Sequence, residues 1–70
     1  MSRKKTLGER VRELRKAKGL MQYELAEKIG ITPVALCRIE YGQATPTLQT
    51  LKGISRILGV TLDELAGMKG

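Results

Sequence analysis

The fold is decided by the stretch QYELAEKIGITPVALCRIEY, residues 22–41, in which two short segments of mixed apolar and polar residues flank a glycine. The first segment places its apolar side chains at helical spacing: Leu25, Ala26 and Ile29. This pattern predicts a helix from Gln22 to Lys28 or Ile29. Gly30 follows and predicts its end, because glycine readily adopts the left-handed conformation that closes many helices.

The second segment begins with a helix-start signal, Thr32-Pro33. Threonine predicts the N-cap, whose side-chain oxygen accepts a hydrogen bond from a free backbone N–H, and proline at the first helical position needs no such partner. We expect this helix to run to about Tyr41. Its inner face is expected to hold the apolar residues Leu36 and Ile39, and its outer face Val34, Cys37 and Arg38.

Three further helices are predicted outside this stretch. One runs from about Leu7 to Lys18; another follows a loop, with Thr47 or Thr45 as its cap; the capping box Thr61-Leu-Asp-Glu64 opens a short last helix. The apolar residues of the helix after the loop are expected in the core: Leu48, Leu51, Ile54 and Ile57 or Leu58. The sequence offers no strand candidate, so it predicts a compact all-α bundle of five helices.

The net charge of +6 is concentrated in the first 18 residues. They hold eight of the thirteen Lys and Arg against two Glu, so the rest of the chain is neutral. A basic segment on a neutral body is typical of a protein that binds the phosphate backbone of nucleic acid. A solvated helix face with a basic tail explains the same charges equally well.

Composition indicates a small globular domain, with 41% hydrophobic and 29% charged residues. We expect a basic tail over 1–6, one domain over 7–66 and a short tail over 67–70. A single cysteine cannot form an internal disulfide, which favours a reducing, cytoplasmic location. The N-terminal stretch has no apolar run long enough for a signal peptide or a membrane span, so no membrane association is expected.

The residue arrangements that support catalysis or cofactor binding are missing from the sequence. There is no histidine, no nucleophile with a base beside it, no metal-ligand cluster and no Gly-rich phosphate loop. We therefore predict that the protein is not an enzyme, and that it uses no metal, cofactor or small-molecule ligand.

Five segments between Leu7 and Leu65 together resemble the Cro/CI-type, or XRE-like, helix-turn-helix regulators. They are GERVRELRKAKG at 8–19, QYELAEKIG at 22–30, RIE at 38–40 with Gly42, PTLQTL at 46–51 and LGVTLDEL at 58–65. The resemblance implies a lambda-repressor-like domain whose recognition helix, about residues 32–41, enters the major groove of double-stranded DNA. It implies a sequence-specific transcriptional regulator, a repressor as the first interpretation, that binds its operator as a homodimer.

The expected DNA-binding residues are Gln22, Thr32, Pro33, Val34, Cys37, Arg38 and Gln43. Arg38 would contact guanine bidentately, with a phosphate contact as the alternative, and the resemblance implies that Gln22 touches a phosphate. Pro33 and Val34 stand where phage relatives carry polar base-reading residues, so they offer only apolar contact, for instance to a thymine methyl. Cys37 is interpreted as a small groove-facing residue rather than a redox sensor, and Thr32 chiefly as a cap.

Other matched positions would support the scaffold. Arg15 and Glu40 correspond to family positions that form an ion pair between the first and third helices. Met21 departs from the family, which usually places a capping Ser, Thr or Asn there. For dimerisation we expect a contact at or near Leu62, Leu65 and Met68, although these residues also suit closure of the core.

A second function remains open for the same fold. The apolar side chains of Pro33 and Val34 on the outer face, and a loop over 43–45 without Lys or Arg, also suit a protein-interaction module such as an antitoxin or a bridging factor.

Overall fold

The computed structural model describes residues 5–66, which fold into five α-helices without a strand. Their bounds are α1 Leu7–Ala17, α2 Gln22–Ile29, α3 Pro33–Glu40, α4 Leu48–Leu58 and α5 Leu62–Ala66. The predicted all-α bundle of five helices is confirmed. The predicted tail at 67–70, and most of that at 1–6, lie outside the described residues.

Every helix except α2 begins at a side-chain cap. At α5 the predicted capping box forms: Glu64 N–H donates to Thr61 Oγ1 (3.0 Å) and Thr61 N–H donates to Glu64 Oε1 (2.9 Å). The same reciprocal pair, not predicted, joins Thr6 and Glu9 at the start of α1. Of the two candidates for α4, Thr47 is the cap, accepting from the Thr50 N–H at 3.2 Å.

The core takes side chains from all five helices: Val11, Leu25, Ala26, Leu36, Ile54, Leu58 and Leu65. Leu48, predicted to be buried, is 60% exposed, because it is the first residue of α4 and lies one turn before Leu51, which packs against the core. Leu65 is fully buried and closes the core, which is one of the two roles expected for it, so its side chain is not available for a direct contact with a second chain. Leu62 is half-buried, and Met68 lies outside the described residues.

The start of α1 lies directly on the end of α3. A Cβ at Gly8 would overlap the carbonyl oxygens of Ile39 and Glu40, both of them backbone atoms, so only glycine permits this approach. Close packing of this kind transmits a shift of one element directly to the other. The position of the last turn of α3 is therefore set by α1.

Candidate functional site

The turn between α2 and α3 is short, and two backbone hydrogen bonds close the end of α2. Gly30 adopts φ 82° and ψ 26°, its N–H bonds to the Glu27 carbonyl (3.3 Å), and the Ile31 N–H reaches the Ala26 carbonyl (3.0 Å). This Schellman arrangement needs the positive φ that glycine adopts without steric cost. Thr32 then caps α3, accepting from a backbone N–H at 3.1 Å, as predicted. Residues 30–32 thus fix the angle between the two helices.

One face of α3 is exposed along its length. Val34 is 61% exposed, Arg38 is exposed, and Tyr41, the C-cap, is 58% exposed. Their spacing of four and three residues places them in one row, here called the α3 stripe. Cys37, predicted on the outer face, is only half-buried, because it sits at the edge between this stripe and the packed side. Three other predicted residues are exposed beside the stripe: Thr32, Pro33 and Gln43.

The end of α3 is closed as tightly as its start. The helix ends at Glu40, one residue earlier than predicted, with Tyr41 as its cap. Gly42 has φ 76°, and the Gln43 N–H donates to the Arg38 carbonyl at 2.7 Å. The backbone of Gln43 is thereby held under the last turn of the helix.

The opposite face of α3 is anchored by a buried polar group, the Glu40 network of Arg15, Gln22 and Glu40. Arg15 Nε donates to Glu40 Oε2 (2.7 Å) and Nη2 to Oε1 (3.2 Å), while Gln22 Nε2 donates to Oε1 (3.0 Å). The third guanidinium nitrogen of Arg15, Nη1, donates to the Leu20 carbonyl at 2.8 Å. The Glu40 side chain is 0% and the Arg15 side chain 9% exposed.

These contacts make the network a joint between α1, α2 and α3. The Arg15–Glu40 pair lies between the first and third helices, where the family resemblance placed an ion pair, and its bidentate geometry is the strongest form of a charged hydrogen bond. The bond from Gln22 to Glu40 was not predicted, because their separation of 18 residues leaves no periodic signal. It fixes the first side chain of α2 against the last residue of α3.

The N-terminus of α2 lacks a side-chain cap, as the methionine at 21 predicted. Glu24 partly compensates, because its Oε1 accepts from the Met21 N–H at 2.8 Å. The Met21 side chain itself is exposed. The start of α2 is thus stabilised by Glu24 and by the bond of Gln22 to the Glu40 network.

The basic N-terminal segment is not a uniformly solvated face. Arg15 is committed to the Glu40 network, and Lys5 Nζ pairs with Glu13 Oε1 at 2.6 Å on the surface. Arg12 lies with its Cζ 5.4 Å from the centroid of the Tyr41 ring, a cation–π contact between α1 and the end of α3. Neither Arg12 nor Tyr41 was among the predicted site residues.

Between residues 5 and 66, no helix combines the length and apolar character that a membrane span requires. Over the same residues, no three or more His, Cys, Asp or Glu side chains are grouped so that they could hold a metal ion. Cys37 is a free thiol.

The helices α2 and α3 have eight residues each and are joined by a tight turn. The second helix exposes one stripe, while buried contacts hold its other face. This arrangement defines a helix-turn-helix domain. The helix-turn-helix family model matches residues 11–65. The chain belongs to this family, as the sequence resemblance predicted.

Among its relatives, the chain is 43% identical over 58 residues to the SPbeta prophage-derived uncharacterized transcriptional regulator YonR of Bacillus subtilis, covering 83% of this chain and 54% of YonR. The chain spans about half, or less, of the length of such relatives. The P22 c2 repressor bound to a synthetic operator superposes with a TM-score of 0.85 at 29% identity, covering 89% of this chain and 94% of that one. The biofilm regulator SinR in complex with DNA superposes with a TM-score of 0.79 at 38% identity, and the match covers 86% of this chain and 97% of that one.

Proposed function

We propose that this domain binds double-stranded DNA sequence-specifically and regulates transcription, as a repressor in the first instance, with α3 in the major groove. The observation that carries the proposal is the α3 stripe, exposed on a helix whose other face is fixed by the core and the Glu40 network. A rigid helix with one free face is what groove recognition requires. The similarity to the P22 c2 repressor on its operator and to SinR on DNA supports the same function.

In this proposal the residues of α3 divide between reading bases and setting register. Arg38 donates to O6 and N7 of a guanine, and the Val34 methyls contact a thymine methyl. Gln22 contacts a phosphate: its amide nitrogen has two N–H groups, and the bond to Glu40 uses one. The remaining residues of the proposed interface border the same surface: Thr32, Pro33, Cys37 and Gln43.

We also propose that the protein acts as a homodimer on DNA. One short helix supplies few base contacts, each worth about 1–3 kcal/mol, which falls short of operator-level affinity. Two copies related by two-fold symmetry would place their α3 helices in successive major grooves, about 34 Å apart. Of the residues expected at the contact, Leu62 keeps part of its surface accessible.

The proposal assigns a binding role without catalysis, a cytoplasmic location and a DNA-binding domain over residues 7–66. A protein-interaction module is the second candidate, because large apolar side chains are exposed on this domain: Met21, Tyr23, Val34, Tyr41 and Leu48. Such side chains suit a protein partner when they are contiguous.

Selection of bound duplexes from a random pool, followed by titration of the enriched site at several salt concentrations, tests the function. We expect a two-fold symmetric site, two chains per duplex, and an affinity that falls steeply with salt as phosphate contacts are lost. Failure to enrich any duplex, with no binding to random DNA at low salt, would refute DNA binding and favour the interaction module. One chain per site without symmetry would refute only the dimer.

A further inference from the structure

We propose that Arg12, held on the ring of Tyr41, is a phosphate-binding residue at the border of the groove that α3 occupies. The inference rests on the proposed DNA-binding function and adds a contact from α1, outside the helix-turn-helix itself. Tyr41 is the last member of the α3 stripe, and the Arg12 guanidinium carbon lies 5.4 Å from its ring centroid. The stripe therefore continues from α3 onto α1.

The backbone beneath Arg12 is fixed relative to α3 on both sides. Gly8, four residues earlier, touches the carbonyl groups at the end of α3, and Arg15, three residues later, bonds to Glu40. Residues at these spacings share one face of a helix. Arg12 thus projects from the face of α1 that is docked on α3, and the Tyr41 ring restricts its guanidinium further.

The contact with Tyr41 leaves the donors of Arg12 available. A cation–π contact acts through the charge of the guanidinium and forms no hydrogen bond with the ring. The N–H groups can therefore still pair with the oxygens of a phosphate. Arg15 differs, because its donors are used by Glu40 and Leu20. Within residues 5–66, Arg12 has no carboxylate at ion-pair distance.

The charged side chains in the cleft beside Arg12 favour an anion, because three of them, Arg12 included, are basic and two are acidic. The cleft beside Arg12 is lined by Lys5, Glu9, Glu13 and Lys16 as well. Glu13 is paired with Lys5 at 2.6 Å, and Glu9 Oε1 accepts from the backbone N–H at residue 6. Lys16 is exposed one turn beyond Arg12 and adds a second positive charge.

The dimensions of the stripe place Arg12 near a DNA strand. Seven residues separate Val34 from Tyr41, about 10 Å along a helix that rises 1.5 Å per residue. The major groove is about 12 Å wide. If the N-terminal part of α3 lies on the base edges, its C-terminal end with Tyr41 would lie nearer the rim of the groove, and Arg12 beyond it would face the sugar-phosphate backbone.

The experiment measures the dissociation constant against KCl concentration, for the selected site and for random duplex. Each phosphate contact contributes about 0.9 to the slope of log K against log salt, which corresponds to about eightfold in affinity between 0.1 M and 1 M salt. We expect Arg12→Ala and Arg12→Gln to lower the slope by about 0.9 and to weaken both duplexes about eightfold at 0.1 M. Tyr41→Phe keeps the ring and should bind as the unaltered chain does, whereas Tyr41→Leu should lose several-fold.

Arg56→Ala is the matched control, because Arg56 is exposed in the last turn of α4, which packs against α1, α2 and α5. Its slope should equal that of the unaltered chain. Urea unfolding of each variant separates folding from binding. An unchanged slope in both Arg12 variants, with any loss confined to unfolding, would show that the stack only joins α1 to α3 and would overturn the assignment. Absence of DNA binding by the unaltered chain would overturn the proposed function and this contact with it.

Discussion

Glu40→Met removes the carboxylate on which the Glu40 network depends. Methionine has a similar volume but accepts no strong hydrogen bond. The Arg15 side chain, which is 9% exposed, would therefore lose two of its three hydrogen bonds. The Gln22 amide would lose its acceptor as well. Removing one partner of a buried pair typically costs about 3–5 kcal/mol, because an uncompensated charge stays in the interior.

That cost is large for a chain of this size. At about 0.05–0.15 kcal/mol per residue, 70 residues give a stability of about 3.5–10 kcal/mol. We therefore expect Glu40→Met to lose about 30% or more of the free energy of unfolding in urea. Glu13→Met is the matched control: it breaks the exposed pair with Lys5, whose side chains are 50% and 58% accessible, and should cost below about 1 kcal/mol.

A double-mutant cycle with Arg15→Met completes the test. The double variant removes both charges, so it should recover at least about 2 kcal/mol of the summed single losses. Purely additive losses, or a Glu40→Met cost no larger than that of Glu13→Met, would refute the view that this network fixes α3. Circular dichroism at low temperature identifies variants too unstable for a urea titration.

Three other outcomes are expected. Arg38→Ala should weaken the selected site by about 1–3 kcal/mol and relax base choice at one position per half-site in a repeated selection; equal weakening of all sequences would make Arg38 a phosphate contact. Replacing thymine by uracil removes only a methyl group from the base. Fluorescence titration should show that this replacement, at one position per half-site, weakens binding of the unaltered chain but not of the Val34→Ala variant. Gly8→Ala should destabilise by about 1–3 kcal/mol in urea because its Cβ meets backbone, whereas Gly53→Ala, whose Cβ would lie 3.2 Å from the Ile29 side chain, should cost less.

The helix ends followed from sequence because local chemistry decides them. Thr32-Pro33, Gly30 and the box from Thr61 to Glu64 specify their own hydrogen bonds within four or five residues. The exposed face of α3 followed from its 3.6-residue period, apart from the partial burial of Cys37. Local signals thus identified the helix-turn-helix and most of its outer surface.

Contacts between distant residues could not be predicted in the same way. The helical period of α4 predicted that Leu48 is buried. Its exposure depends instead on how far the core extends along α4, which the sequence of α4 does not specify. The bond of Gln22 to Glu40 and the stack of Arg12 on Tyr41 depend on how three helices cross. For Leu65, the sequence was equally compatible with a place in the core and a place at a dimer contact, and only the packing of α5 shows that it is in the core.

The separation of the two faces of α3 bears on how this domain can change over evolution. Leu36, Ile39 and Glu40 carry the structural contacts of the helix, while Val34 and Arg38 project into solvent. Substitutions at these two exposed positions alter the chemistry offered to a ligand at little thermodynamic expense, usually within about 0.5 kcal/mol. Thr32 lacks that freedom, because its hydroxyl also caps the helix. Substitutions at positions 34 and 38 can therefore change what the domain binds without requiring stabilising mutations elsewhere.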